Sequence, residues 1–219
     1  MITVNRKIEE LLFERGADIV RFVDISGLPA SQTQGYKSAI LFCMALPKDF
    51  IFAIRAGEKR EQVFVDKEHE TDAIADWLAD YLAQQGYKSY SQSEKSHGQN
   101  GNYDEKTRTS RLPHKTIARL AGTGYIGKNN LLINEKFGCA FSMCTVLTDA
   151  PVAAEKHPLV LSSCGDCNIC KQVCSDNAIL GNEWSESAGR EGVVDVFKCT
   201  CALKCMVNCP KTLKYAYST

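Results

Sequence analysis

The sequence predicts an α+β fold in two parts, an α+β domain over residues 1–155 and a small cysteine-rich module over 156–219. Three observations carry this. Ile74, Trp77, Leu78, Tyr81 and Leu82 recur at i, i+3, i+4, i+7 and i+8 and stop at Gly86, the pattern of an amphipathic helix. Strand-like runs occur without a regular strand–helix–strand alternation, which argues against a doubly wound parallel sheet. Eight of the 11 cysteines fall between Cys164 and Cys209.

The elements follow in order. Val4, Ile8, Leu11 and Leu12 repeat at helical spacing and Gly16 supplies a stop, so a first helix is expected near residues 4–15. IVRFVDI at 19–25 and SAILFCMAL at 38–46 read as strands. The helix ending at Gly86 comes next, with Trp77 as a core residue. Residues 91–112 are polar and show no period, and so long a loop inside a compact domain is expected to be functional or disordered. Pro113 opens a short helix, HKTIARLAG, closed by Gly122. LLIN and CAFSMCTVLTD then read as two strands joined by a turn around Lys136 to Gly138.

Composition limits the function. Lys plus Arg and Asp plus Glu are both 26, so no overall field draws the chain to nucleic acid or an anionic membrane. The N-terminal segment has no apolar signal region, and the run from Ala39 to Leu46 is too short to span a bilayer. A soluble, cytoplasmic protein with no membrane partner is the expectation. Disulfides need an oxidising compartment, so cysteines used this densely point to metal.

Cys164, Cys167 and Cys170 form C-x-x-C-x-x-C, and Cys174 follows after three intervening residues. That is the bacterial ferredoxin run, in which three thiolates hold one [4Fe-4S] cluster and the fourth reaches a second. A compressed second run supplies Cys199, Cys201, Cys205 and Cys209. One cluster would take Cys164, Cys167, Cys170 and Cys209, and the other Cys174, Cys199, Cys201 and Cys205. The competing reading is zinc, because four-thiolate sites also use C-x-x-C steps. Shared middle cysteines are unusual there, and iron–sulfur is preferred. Ser175 replaces the proline that commonly follows the fourth cysteine, and the C-x-C at Cys199 and Cys201 is irregular. Six basic and six acidic residues lie between 164 and 219, so each oxidised cluster, adding about −2 with its thiolates, would make the module acidic.

AGTGYIGKNN at 121–130 imitates a phosphate loop. A dinucleotide fingerprint needs a strand before its glycines and a helix after them; here a helix leads in and a strand leads out. Lys128 is followed by Asn129 rather than Ser or Thr, so a Walker loop fails too. A helix cap and tight turn explain one or two glycines. Three, followed by Lys128, Asn129 and Asn130, suggest a loop that approaches some other ligand.

In order, LPHKTIARLAGTGYIGKNNLLIN, a hairpin ending VLTDAPV, CGDCNICKQVCSDNAI and a second cysteine run ending in CP resemble the epoxyqueuosine reductase family and its shorter relatives over roughly residues 110–210. The resemblance implies a nitroreductase-like, cobalamin-binding domain followed by a ferredoxin-like domain with two [4Fe-4S] clusters that feed electrons to cobalt. It implies that Gly122, Gly124, Tyr125, Ile126, Gly127, Lys128 and Asn129 line the corrinoid. An electron donor such as a flavodoxin or ferredoxin and a small-molecule substrate would be the partners.

Two departures bear on the chemistry. The family's tRNA-modifying members place an aspartate before the helix that leads into this loop, whereas here no carboxylate lies between Lys106 and Lys128, and Arg108 or a neighbour stands in its place. Those members also carry a C-terminal helical-repeat extension; without it, and with no positive field, tRNA is an unlikely substrate. Tyr103, His114 and Tyr125 are the candidate proton donors, with Asp104 nearby. His69, His97 and His157 read as surface residues, and Cys43, Cys139 and Cys144 as small buried ones. The alternative function is a ferredoxin-type carrier or reductive activator of a partner corrinoid protein, with no substrate of its own.

Overall fold

A computed structural model describes residues 3–218, and the side chain of His97 lies outside that description. In chain order the elements are α1 (Val4–Phe13), β1 (Ile19–Asp24), α2 (Ala30–Thr33), β2 (Ser38–Ala45), α3 (Lys48–Arg55), α4 (Gln62–Gln84), β3 (Ser89–Ser91), α5 (Glu94–Gln99) and β4 (Tyr103–Asp104). They continue with β5 (Thr109–Ser110), α6 (His114–Leu120), β6 (Tyr125–Ile126), β7 (Leu132–Ile133), β8 (Phe141–Thr148), α7 (Ile169–Gln172), α8 (Lys204–Val207) and α9 (Pro210–Ala216). Helices and strands are mixed, as the sequence predicts. Two compact units form: residues 1–45, 66–122 and 142–158 in one, and 46–65, 123–141 and 159–219 in the other.

The first unit is built on a four-stranded sheet of order β1-β2-β8-β3. β1 and β2 run antiparallel with Ile19 opposite Cys43 and Asp24 opposite Ser38, and β3 pairs β8 with Ser89 opposite Thr148. β2 and β8 are buried along almost their whole length, so they read as continuous apolar runs instead of alternating ones. Ile8 and Leu12 from α1 and Ile74, Ala75, Leu78 and Leu82 from α4 close over Val20, Phe22, Phe42 and Val146. Thr3 caps α1 by accepting from the Arg6 amide at 3.3 Å. Trp77 is half-buried at the margin of this core, with the Arg15 guanidinium 3.4 Å above its ring and Tyr81 stacked beside it.

Several expectations change. The helix ending before Gly86 begins at Gln62, well ahead of its apolar stripe, because Val63 and Phe64 in its first turn pack into the second unit's core. Pro113 is the N-cap of α6 and not its first helical residue. Residues 91–112 are ordered by local capping: Ser93 accepts from the Ser96 amide at 3.3 Å, and Asp104 accepts from the Lys106 amide at 2.8 Å in the turn of the β4–β5 hairpin. Such devices leave no hydrophobic period to read.

The second unit packs α3, α8 and α9 around Leu46, Phe50, Ile51, Ile54, Ile133, Met206 and Val207. Its small ribbon corrects the expected hairpin: β7 pairs with β6, Tyr125 opposite Ile133 and Ile126 opposite Leu132, while β8 joins the first unit's sheet. The turn near Lys136 does form, closed by Asn134 and Gly138, whose amides each donate to the other's carbonyl at 2.7 and 2.9 Å. Among the described residues no helix is long and apolar enough to cross a membrane.

Candidate metal centre

The cysteine-bearing stretches have little regular structure, and turns place their thiols. Gly165, Asn177, Cys201 and Leu203 all hold φ near +50°. Cys170 is the hub of one set: burial first, then the charges of Cys164, Cys209 and Cys167, push its thiol above the ordinary value. Cys205 is the hub of the other, raised to about 12 by burial and then by Cys199, Cys170 and Cys174. Cys170, Cys174, Cys199 and Cys205 lie against an apolar wall of Ala178, Ile179 and Val194. Cys201 is exposed. Among the described residues no three His, Cys, Asp or Glu side chains close to the spacing that chelates a single ion.

The glycine loop is fastened to the first set. The Tyr125 hydroxyl hydrogen-bonds the Ser163 hydroxyl at 2.9 Å, and Lys128 Nζ donates to the Gly165 carbonyl at 2.6 Å, so the residues on both sides of Cys164 are held. Burial raises the Tyr125 phenol above its usual value and keeps it protonated. Asn129 Nδ2 donates to Cys139 Sγ at 3.5 Å, while its Oδ1 accepts from the Leu131 amide at 3.2 Å. Lys128 and Asn129 therefore turn into the protein, and both are buried.

Two of the glycines answer to their own chain. A Cβ on Gly124 would lie 2.1 Å from the Ile133 carbonyl oxygen, and one on Gly127 2.4 Å from Ile133 Cδ1. Gly122 has φ +61°, and a Cβ there would come within 2.9 Å of His157 Cβ. Ile126 is buried in β6. Thr123, between the first two glycines, is 5% exposed, and its hydroxyl has no hydrogen-bond partner among the described residues. Such an orphan costs about 1–3 kcal/mol unless something satisfies it.

Cys139 is more than a small buried residue. Its Sγ lies 3.2 Å from the Thr212 hydroxyl and 3.7 Å from the Met206 carbonyl; the neighbouring Cys209 and then burial push Cys139 up, while Cys209 is drawn below the ordinary thiol value. The Thr212 and Lys211 amides also bond to the Cys209 sulfur. Sequence reading missed this because Cys139 lies in an apolar run 70 residues before Cys209.

Of the proposed proton donors, Tyr103 and His114 line one cavity of about 470 Å³ in the first unit, and Tyr125 belongs to the second. His114 Nδ1 is 2.8 Å from Thr145 Oγ1. Asp104 is held below the usual carboxylate range, first by its hydrogen bond with Thr107, which removes it as an acid near neutral pH. The cavity also presents Glu68, Asp72, Glu94 and Glu105. Burial, followed by the charges of Glu94 and Asp72, raises Glu68 to about 7. Asp72 is raised too, mainly by burial, although it accepts from the Glu94 amide at 2.9 Å. The i, i+4 spacing of Glu68 and Asp72 on α4 was a legible sign of a shared face.

No family model matches the chain. An epoxyqueuosine reductase of Staphylococcus aureus is 36% identical over 74 residues, 34% of this chain and 19% of that protein. One of Pseudomonas aeruginosa is 38% identical over 68 residues, 31% of this chain and 18% of the relative. Over these stretches the chain is similar to epoxyqueuosine reductases. Its matches span about a fifth of the length of those curated epoxyqueuosine reductases.

Solved structures share the fold over more of the chain. A catabolic reductive dehalogenase in complex with 3-bromo-4-hydroxybenzoic acid superposes with a TM-score of 0.63 at 18% identity, over 81% of this chain and 25% of the dehalogenase. The epoxyqueuosine reductase from Streptococcus thermophilus gives 0.55 at 14% identity, over 96% and 66% of the two chains. Two features of the site bear on which groups it could hold. Thiols grouped against apolar residues suit iron–sulfur clusters, and the orphaned Thr123 hydroxyl suits a polar group brought to the loop.

Proposed function

We propose that the protein is a cytoplasmic iron–sulfur, cobalamin-dependent reductase acting on a small molecule. Residues 156–219 would form a ferredoxin-like electron-delivery domain and residues 1–155 a nitroreductase-like corrinoid domain. Cys164, Cys167, Cys170 and Cys209 would hold one [4Fe-4S] cluster, and Cys174, Cys199, Cys201 and Cys205 the other. When bound, the clusters supply single electrons, and the corrinoid supplies a cobalt able to take them up and reduce a substrate. An electron donor such as a flavodoxin or ferredoxin would refill them.

One observation carries the reading: Tyr125 and Lys128 tie the glycine loop to Ser163 and Gly165, the neighbours of Cys164. The loop that the resemblance assigns to the corrinoid is thus bonded to the segment that carries the first cysteine. Thr123 would offer its hydroxyl to a polar arm of the corrinoid. The chain's own acid is Glu68, in the cavity with His114 and Tyr103. With a pKa of about 7 it can hold a proton and release it to a substrate under neutral conditions. It supplies the carboxyl that the 106–128 stretch lacks.

A second reading, an electron carrier or activator of a partner corrinoid protein, is favoured by Gly124 and Gly127, whose absent side chains are accounted for by Ile133 without any ligand. Anaerobic purification with added cobalamin, followed by iron, sulfide, cobalt and zinc analysis, separates these possibilities. About eight iron, eight sulfide and one cobalt per chain support the reductase. Iron and sulfide without cobalt would leave the carrier, and zinc without iron would end both.

A further inference from the structure

We propose that Gln92 and Thr145 are positioning residues for His114: through a directed run of hydrogen bonds they hold its neutral ring with the proton on Nδ1, so that Nε2 is the atom that exchanges a proton with a molecule in the cavity. The state of the ring stands on these bonds alone, whereas its service to a substrate rests on the reductase reading above.

The direction is set from the backbone outward. Gln92 is 1% exposed, and its Nε2 donates to the Leu112 carbonyl at 2.8 Å. Turning that amide over would bring two carbonyl oxygens face to face, so Oε1 is the atom presented to Thr145. The Thr145 hydroxyl is fully buried and donates its one hydrogen to this Oε1. Towards His114 Nδ1, 2.8 Å away, the same oxygen can then only accept, and the ring must supply an Nδ1–H. Fixing one imidazole nitrogen as a donor leaves the other as the one that gains and loses a proton.

The surrounding chain keeps the run in register. The Gln92 amide donates to the Thr145 carbonyl at 3.0 Å, so the two side chains leave backbones that are already tied together. Leu112, which orients Gln92, is itself buried and lies two residues before His114, the first residue of α6. Gln92 and His114 both line the cavity that holds Glu68 and Tyr103. A ring set in this way takes up a proton at Nε2 and returns it from Nε2, keeping its Nδ1 proton on the Thr145 oxygen in both states. Without that oxygen the neutral ring is free to carry its proton on Nε2 instead, and a base becomes a donor.

The test is proton–nitrogen correlation NMR of the histidine rings in the intact, anaerobically purified protein, at a pH that leaves His114 neutral and with its signals identified by their loss in His114→Gln. Wild type, Thr145→Ser and Thr145→Val are compared, with a thermal melt of each. The expected result is Nδ1 at the protonated shift and Nε2 at the bare shift in wild type and in Thr145→Ser, and both nitrogens moved to intermediate shifts in Thr145→Val. An Nε2–H ring in wild type overturns the inference even when iron and cobalt are both bound. So does a Thr145→Val spectrum identical to wild type, which would mark a packing role for Thr145. Should Thr145→Val melt below the working temperature, the wild-type and serine spectra still decide. Wild type with the Nδ1–H ring but no cobalt upholds the positioning and removes the reductase reading.

Discussion

Lys128 Nζ lies 2.6 Å from the carbonyl oxygen of Gly165, a buried ammonium spent on the residue that follows Cys164. A side chain whose neighbourhood looked like a phosphate loop is thus a strut for a cysteine turn. Lys128→Met keeps the aliphatic stem and removes the donor, leaving the carbonyl short of its partner at a cost of about 1–3 kcal/mol. The expected outcome is a lower melting temperature and less iron bound per chain. Wild-type values in both measurements would show the bond to be incidental.

Gly124 and Gly165 separate two reasons for a glycine. Gly124→Ala would drive a methyl to 2.1 Å from the Ile133 carbonyl, so β7 must move, at a cost above about 3 kcal/mol. Gly165→Ala meets nothing within 4 Å and costs only the positive φ, about 1–2 kcal/mol. Chemical denaturation should rank them in that order. The reverse ranking would mean that the 123–134 ribbon is packed differently.

Glu68 gives a pH dependence with a definite sign. Folding raises its carboxyl from 4.5 to about 7, so between those values the native state holds a proton that the unfolded chain has released. Its contribution to stability therefore falls as pH rises through that window. Asp72, Glu94, Glu105 and His114 face the same cavity and set the background. Glu68→Gln should be the more stable protein at pH 8 by about 1 kcal/mol, after allowance for partial exposure, and indistinguishable at pH 4. On the reductase reading it should also lose the higher-pH limb of the activity profile. Parallel stability–pH curves for the two proteins would contradict the assignment.

Thr123→Val tests the loop without altering a glycine. Replacing an unsatisfied buried hydroxyl by a methyl should leave the unliganded protein as stable or more so, while weakening cobalamin binding about tenfold. Titration of cobalamin followed by absorbance measures this. Unchanged affinity would remove Thr123 from the site.

Much of this was legible before folding. The apolar stripe from Ile74 to Leu82 is part of α4, the run 38–46 contains β2, and the helix before the glycines and the strand after them form as α6 and β7. Locally encoded features of this kind, periodicity, capping and cysteine spacing, survive in one dimension because each depends on neighbours a few residues away. α3 was missed because it is 8 residues long and its apolar residues, Phe50, Ile51, Ala53 and Ile54, give too short a repeat.

The sequence by itself determined that thiols would dominate one part of the chain and that a helix leads into the glycine run and a strand leads out of it. Tertiary structure alone decided that Lys128 holds Gly165, that Cys139 meets Thr212, and that Glu68 shares a cavity with His114. The second unit is assembled from three separated stretches, 46–65, 123–141 and 159–219. Contacts between residues so far apart depend on chain closure and packing, and no spacing in the sequence records them.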